Sequence, residues 1–225
     1  MQLFYSKEIS SSLLLNKEES KHCLKVLRKK ENEIIFVTDG NGFLYESKIV
    51  KVDNNLVRLN IINTTQTKKN KKIELAISFP KQRNRIEWIV EKATEIGVDI
   101  ITPLICENSE RTSINIDRME KIVISSMKQS LRTHLPKISE MQKFSNFVKK
   151  NKSEQKYIAH CKQDSQKAKI KNPKSINSCI LIGPEGDFSK EEIKLANSLG
   201  FKSITLSTNR LRTETAAIVA CYKLI

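Results

Sequence analysis

The sequence predicts an α/β protein whose larger part is built on a mostly parallel sheet, with a smaller β-rich part before it. Three observations predict this class. From residue 73 onward, short apolar runs of strand length alternate with patterns of helical period. Residues 1 to about 65 instead contain strand patterns separated by turn signals. The stretch 64–72 between them is polar, basic and free of large apolar residues, which indicates a linker or a domain boundary.

The β-rich part is predicted to hold three strands and one short helix. The helical spacing around Leu24 and Leu27 favours a helix over about 17–27. Strand patterns follow at 33–38, 43–52 and 56–62. The sequence Asp-Gly-Asn-Gly at 39–42 is typical of a turn between two strands. We therefore expect a first domain over residues 1–67.

Strands and helices alternate in the second part, for which we expect a domain over residues 73–225. Strands are predicted at 73–79, 98–105, 157–159, 179–182 and 203–206, and helices at 86–97, 116–131, 189–199 and 213–224. Ser189 and Glu192 form an S-x-x-E capping box, which marks the start of one helix. This alternation predicts a mostly parallel sheet with helices on both faces.

Composition narrows the classes of partner and compartment. The net charge is +15, from 40 Lys and Arg against 25 Asp and Glu, and such a surplus favours a polyanionic partner such as nucleic acid. A general bias toward Lys, Asn and Ile would produce the same charge without a binding purpose. The five cysteines are odd in number and lack C-x-x-C spacing, so no metal site and no disulfide framework is expected. Apolar runs stay short of 18 residues and the N-terminus lacks a signal-peptide pattern, so we expect a cytoplasmic protein without a membrane span.

Two loops at the carboxyl ends of predicted strands carry most of the chemistry. The first, Gly-Pro-Glu-Gly at 183–186, brings bare backbone close to a ligand, although a plain turn has the same composition. It has neither a Walker lysine nor a G-x-G-x-x-G pattern, so a phosphate cradle is not indicated. The second, residues 209–216, places two arginines beside Glu214, either for an anionic partner or as an Arg–Glu surface pair. Because the carboxyl ends of successive parallel strands meet at one edge, we expect both loops to border one small-molecule site.

The same loops carry a family resemblance. Residues 182–189 (I-G-P-E-G-D-F-S), followed by Leu206 and by 210–216 (R-L-R-T-E-T-A), resemble the bacterial 16S ribosomal RNA (uracil-N3)-methyltransferases of the SPOUT class. Further stretches similar to this family are 22–28, 81–87, 90–98, 108–112, 129–132 and 135–138. The chain departs from the family pattern at Asp187 and near Ser207, where glycine is usual, at Lys128, where Glu is usual, and near Leu3, where arginine is usual.

The resemblance implies a fold and an activity. It implies a knotted, SPOUT-type, mostly parallel sheet with the knot at its C-terminal end, and a small PUA-like β-barrel at the N-terminus. It also implies a homodimeric enzyme that uses S-adenosylmethionine to methylate N3 of a specific uridine in 16S ribosomal RNA, as naked RNA or in the small ribosomal subunit. The residues that it assigns to the cofactor are Ile182, Gly183, Pro184, Glu185, Gly186, Leu206, Asn209, Leu211, Thr215 and Ala216. The residues expected to contact RNA are His22, Lys25, Arg28, Arg83, Arg111 and Arg132.

Three residues are candidates for the chemical step. Arg212 is the first candidate to stabilise charge on the carbonyl oxygens of uracil. Glu214 is a candidate base or an orienter of Arg212, and Thr213 is a candidate hydrogen-bond partner of the uracil. Two other functions stay open, namely a tRNA methyltransferase of the same fold and a non-catalytic RNA-binding protein of ribosome assembly.

Overall fold

The computed structural model describes residues 1–162, 167–168, 170 and 177–225, and it divides into two compact units. The first unit comprises Met1–Lys69 and Ile124–Leu135. The second unit comprises Asn70–Val123 and Pro136–Ile225. Within the described ranges, no helix has both the length and the apolar character that crossing a membrane requires.

A four-stranded sheet in the order β1-β2-β3-β4 forms the first unit. Its elements are β1 (Leu3–Tyr5), α1 (Ile9–Ser12), α2 (Lys17–Lys21), β2 (Ile34–Thr38), β3 (Phe43–Asp53) and β4 (Leu56–Gln66). β1 runs parallel to β2, and the other pairs are antiparallel. Alternate apolar residues such as Ile35 and Val37, or Val57 and Leu59, are buried, as the two-residue period of a strand requires.

The first unit differs from the sequence prediction at three places. The predicted helix over 17–27 is wrong in its second half, because α2 ends at Lys21 and His22–Val26 forms a π-helical turn. β4 extends to Gln66, into the stretch interpreted as a linker, because its pairing with β3 continues as far as Phe43. Periodicity does not predict β1 or α1, since elements of three and four residues are too short to show a period.

The segment Ile124–Leu135 groups with the first unit through hydrogen bonds to its β2–β3 turn. The amide of Gly42 donates to the carbonyl of Thr133 at 2.8 Å, and the amide of Leu135 donates to the carbonyl of Gly40 at 2.8 Å. Both glycines have positive φ, which a turn of this kind requires. A stretch distant in sequence thus packs against the β2–β3 turn of the small sheet.

The second unit is an α/β fold on a parallel sheet in the order β11-β9-β10-β5-β6-β7, with β8 beside β6. Its strands are β5 (Ile73–Ile77), β6 (Ile100–Ile105), β7 (Lys137–Ile138), β8 (Gln142–Lys143), β9 (Gln155–Ala159), β10 (Ser178–Ile182) and β11 (Lys202–Ile204). Its helices are α3 (Arg83–Ile96), α4 (Ile116–Gln129, whose last residues group with the first unit), α5 (Phe144–Lys150), α6 (Lys190–Ser198) and α7 (Thr213–Leu224). The predicted α/β class with a mostly parallel sheet is confirmed.

Local sequence explains the central elements of this sheet. All five residues of β10 are buried, as expected for an apolar run flanked by parallel strands. The capping box of α6 is confirmed: Ser189 Oγ accepts from the amide of Glu192, and the Glu192 carboxylate accepts from the amide of Ser189. Beyond β11, which lies at the sheet edge, α7 returns to pack on α3, β5 and β10.

Several predicted ends are too long by two residues. β5 ends at Ile77 instead of 79, β11 at Ile204 instead of 206, and α4 at Gln129 instead of 131. The chain beyond β11 leaves the sheet to line a cleft, so apolar character there does not mean strand structure. The sequence pattern does not predict β7, β8 or α5, which are short.

Candidate functional site

A cleft of about 1230 Å³ opens in the second unit at the carboxyl ends of β9, β10 and β11. Its walls include His160 after β9, Gly183 after β10, and Leu206 after β11. Because these strands are parallel neighbours, the loops that follow them emerge at one edge of the sheet. The predicted meeting of two strand-end loops is therefore present, and the loop after β9 joins them.

We call residues 183–188, which follow β10, the anchored loop. The amide of Asp187 donates to the carbonyl of Pro184 at 2.9 Å, which closes a tight turn. Phe188 is fully buried and ends the loop in the core. A Cβ atom on Gly183 would lie 3.1 Å from the Phe188 ring, so only glycine fits there without a shift.

Neighbouring segments hold the anchored loop. Asn108 Nδ2 donates to the carbonyls of Gly186 at 3.3 Å and Asp187 at 3.0 Å. The Glu185 carboxylate accepts from the amide of Lys81 at 3.3 Å. These bonds shape this wall of the cleft without help from a ligand.

We call residues 206–212, which lead from β11 to α7, the open loop. Among the hydrogen bonds of the described residues, its amides make one, from Asn209 to Ser207 Oγ at 3.2 Å. Arg212 precedes the first residue of α7 and provides no side-chain cap for that helix. Arg210 and Arg212 are both exposed on the cleft. This loop offers hydrogen-bonding groups that the described residues do not use.

Arg85 of α3 also lines the cleft, and it lies beside Glu214 of α7. Its Nε is 3.6 Å from Glu214 Oε1, and the Glu214 side chain is only 14% exposed. The second oxygen of Glu214 is buried and has no hydrogen-bond partner in the part of the chain that the structure describes. Glu214 thus pairs with Arg85 of another helix.

The cleft gathers most of the predicted cofactor and catalytic residues. Those that line it are Ile182, Gly183, Pro184, Glu185, Leu206, Asn209, Leu211, Arg212, Thr213 and Ala216. Gly186, Glu214 and Thr215 belong to the same loops but do not line it. Sequence reasoning missed Arg85, the residues after β9 (His160, Cys161, Lys162 and Lys167) and Asp187 as lining residues. The predicted end of β9 at 159 was a usable signal for His160 and its followers, because sites lie at the carboxyl ends of strands.

The predicted RNA-contacting residues lie elsewhere. His22, Lys25, Arg28 and Arg132 belong to the first unit, and Arg83 and Arg111 to the second. His22 is half-buried with its ring edge-on to Phe4, whereas Lys25 and Arg28 are exposed.

Arg83 and Arg111 both bond within the chain. Arg83 Nε donates to Glu87 at 2.8 Å, and Arg111 donates to the carbonyl of Lys81. The side chain of Arg83 is still 63% exposed.

Titratable groups away from the cleft have structural causes for their shifts. A hydrogen bond from Arg118, which approaches Glu87 Oε2 at 2.9 Å, lowers the pKa of Glu87 to about 2. Burial raises the pKa of Cys23 to about 11 and that of Cys221 to about 12, so both thiols stay protonated at neutral pH. Among the residues that the structure describes, no group of three or more His, Cys, Asp or Glu is arranged to hold a metal ion.

Comparisons with known proteins agree with this architecture. A family model described as an RNA methyltransferase domain matches residues 67–225, and one described as an RNA methyltransferase PUA domain matches residues 15–62. The chain is 32% identical over 224 residues to ribosomal RNA small subunit methyltransferase E of Aquifex aeolicus, covering 97% of this chain and 96% of the relative.

Two solved structures are similar over almost the whole chain. A probable rRNA-methyltransferase from Porphyromonas gingivalis is 34% identical with a TM-score of 0.90, over 98% of this chain and 95% of that one. A ribosomal RNA small subunit methyltransferase E from Neisseria gonorrhoeae, bound to S-adenosyl methionine, is 28% identical with a TM-score of 0.85, over 98% and 95%. Both parts of this chain find counterparts in these proteins, and the cleft lies in the part that the larger family model matches. The chain therefore belongs to the RNA methyltransferase family in which a PUA domain precedes the methyltransferase domain.

Proposed function

We propose that this protein uses S-adenosylmethionine to methylate N3 of a specific uridine in 16S ribosomal RNA. The observation that carries this proposal is the meeting of the anchored loop and the open loop on one cleft. The substrate class is supported by the Aquifex relative, which is named for small-subunit ribosomal RNA. The donor is supported by the Neisseria structure, which contains S-adenosyl methionine.

The cleft fits a donor of this chemistry. Its volume of about 1230 Å³ is ample for a nucleoside with an amino-acid tail. The amides of the open loop can bond the polar edge of an adenine, and the Glu185 carboxylate suits a cationic ligand. The residues that would hold the donor are Ile182, Gly183, Pro184, Glu185, Leu206, Asn209, Leu211 and Ala216, with Gly186 and Thr215 behind them.

Residues at the start of α7 would handle the uracil. S-adenosylmethionine, when bound, supplies an electrophilic methyl group. Arg212, exposed on the cleft, would donate to a uracil carbonyl and stabilise the negative charge that grows as N3 gives its proton to water and takes the methyl group. Thr213 would hydrogen-bond the base, and Glu214 would keep the Arg85 guanidinium oriented in the cleft wall.

The domain over 1–67 would grip the RNA as a PUA-like barrel. A base within folded RNA has to be drawn out to reach a cleft, and this requires contacts at a distance from the target. Exposed Lys25 and Arg28 would contact phosphates, with His22 and Arg132 of the same unit. Arg83 and Arg111 of the domain over 73–225 would add phosphate contacts through the guanidinium atoms that their internal bonds leave free.

Two further features belong to this proposal. One is the C-terminal knot that the family resemblance implies, which the return of α7 from the sheet edge onto the central strands would allow. Trp88 on α3 and Tyr222 on α7 are 41% and 75% exposed, and such apolar exposure on two packed helices suits a homodimer interface. The dimer would act in the cytoplasm, where ribosomal RNA is found.

Two measurements test the proposed function. Calorimetric titration of the purified chain with S-adenosylmethionine is expected to show saturable binding. Mass-spectrometric mapping of RNA from a deletion strain is expected to show one uridine of 16S RNA that loses an N3-methyl group, which returns when the gene is restored. Loss of a tRNA methylation instead would replace the substrate, and donor binding with no lost modification would favour an assembly protein. A chain that does not bind the donor would contradict the proposal.

A further inference from the structure

We infer that Asp187 is a positioning residue that ties together two cleft loops, the anchored loop and the loop after β9, and thereby sets the affinity for the methyl donor. The inference rests on the proposed function for the identity of the donor. Asp187 itself lines the cleft, as do residues on both loops that it connects. Its carboxylate is the direct link between them.

Two hydrogen bonds define this link. Asp187 Oδ2 accepts from the amide of Cys161, in the loop after β9, at 2.9 Å. Asp187 Oδ1 accepts from the amide of Phe188, in its own loop, at 2.8 Å. Both bonds are charge-assisted and therefore stronger than bonds between neutral groups. One carboxylate thus satisfies amides from two strand-end loops.

The backbone of Asp187 points to the same role. Its φ is +63°, in the left-handed region that residues other than Gly, Asn and Asp rarely adopt. Such a conformation persists where surrounding contacts over-determine it. Here the two accepted amides hold the side chain, while Asn108 Nδ2 donates to the Asp187 carbonyl from another side at 3.0 Å.

Gly186, the preceding residue, lies against Asn108. A Cβ atom there would lie 3.1 Å from Cβ of Asn108, so the loop already packs closely against that side chain. If the Asp187 carboxylate is removed, the anchored loop keeps its support from Asn108, but the start of the loop after β9, at Cys161, loses its hydrogen bond to the anchored loop. The binding-competent shape of the cleft is then populated for a smaller fraction of the time. The apparent affinity for the donor falls in proportion to that population.

The test compares Asp187→Gly and Asp187→Asn with a matched control, Asn55→Gly. Glycine accepts the positive φ and removes both bonds, whereas Asn keeps one acceptor oxygen. Asn55 lies in the β3–β4 hairpin with the same φ of +63° and outside the cleft. We measure donor affinity by calorimetry, KM and kcat with 16S RNA, and hydrogen–deuterium exchange of a peptide covering 159–162 without any ligand.

Asp187→Gly is expected to raise Kd and KM for the donor about tenfold while kcat changes less than about twofold. Asp187→Asn is expected to fall between, near threefold, and Asn55→Gly to match the wild type. Exchange over 159–162 is expected to speed up only in the Asp187 variants.

Unchanged exchange over 159–162 in Asp187→Gly would overturn the link, whether or not the protein binds S-adenosylmethionine. Faster exchange with unchanged donor affinity would overturn the claim about affinity. A wild-type protein that fails to bind the donor would contradict the proposed function separately, because the exchange measurement needs no donor.

Discussion

The anchored loop and the open loop border the same cleft, but the chain holds them very differently. Contacts from Lys81, Asn108 and Cys161 fix the anchored loop from three other segments. Of the open loop's amides, only that of Asn209 is hydrogen-bonded among the described residues, and its partner Ser207 lies in the same loop. One wall of the cleft is therefore built before a ligand arrives, and the other has bonding groups left for it.

The two loops therefore have different roles in the site. A preorganised wall lowers the entropy lost on binding, so the anchored loop should mainly set donor affinity. The open loop makes few bonds of its own, so it becomes ordered when ligand groups bond to its amides. Such a loop suits the binding and release of a nucleotide. Arg212, the first candidate for the chemical step, is the last residue of the open loop.

The largest expected effect separates chemistry from donor binding. Arg212→Ala should lower kcat by about 100-fold or more, because it removes the hydrogen-bonding guanidinium that would stabilise the charge developing on the uracil. Donor affinity measured by calorimetry should stay within about threefold, since the anchored loop is intact. Arg212→Lys serves as the conservative control and should restore only part of the rate, because Lys lacks the planar fork of donors. Near-normal turnover of Arg212→Ala would reject the assignment and with it the division of roles.

A second test compares one small substitution in each loop. Gly183→Ala places a methyl group 3.1 Å from the Phe188 ring, in a loop that cannot shift freely. We expect about a tenfold rise in donor KM and a loss of about 1–3 kcal/mol in unfolding free energy. Ser207→Ala in the open loop removes a single exposed bond and should cost about 1 kcal/mol or less. Kinetics and denaturant unfolding of both variants check this; equal damage from the two would erase the contrast.

A third test needs no mutation. Saturating S-adenosylmethionine should slow hydrogen–deuterium exchange of a peptide covering 206–212 by about fivefold or more, because ligand groups then satisfy its amides. A peptide covering 183–188 should change less, since the chain already holds that segment. The reverse order of protection would mean that the loops have been assigned to the wrong roles.

The smallest expected effect comes from a charge cluster between α3 and α4, formed by Arg83, Glu87 and Arg118. The pKa of Glu87 is lowered to about 2 from an ordinary value of 4.5, first by the hydrogen bond from Arg118. A lowered pKa contributes stability above pH 4.5, and this contribution is lost as pH falls from 4.5 through 2. Glu87→Gln should therefore lower the melting temperature at pH 7 by up to about 3 °C, with the difference from wild type vanishing near pH 2. Scanning calorimetry across this pH range, with donor affinity as the control, checks that the cleft is unaffected.

Sequence reasoning located the two C-terminal loops because their signals are local. Gly183 and its neighbours follow an apolar run directly, and Arg212 and Glu214 stand at the start of an apolar helix, so a strand end and a helix start mark the two loops. The capping box of Ser189 was readable for the same reason. The π-helical turn over His22–Val26 could not be predicted, because a helical turn with one extra residue is built from the same residue types as an α-helix.

The partners of these residues could not be read from the sequence. Asp187 and Cys161 are separated by 26 positions, and nothing in either neighbourhood marks the other. In the sequence, Arg85 looks like an ordinary surface residue of an amphipathic helix. In the structure, α7 places Glu214 beside it. Ile124–Leu135 has the sequence of a helix end followed by a turn, yet it groups with the first unit through bonds to the β2–β3 turn.

The sequence by itself determined the class of the fold, the two loops that border the cleft and the basic character that suits an RNA substrate. These follow from periodicity, from backbone demands at glycine and proline, and from charge, all of which act over a few residues or over the whole composition. Only the tertiary structure decided which loop is held and which is left open. That depends on hydrogen bonds between segments far apart in the chain, and the strand order of the folded sheet brings those segments together.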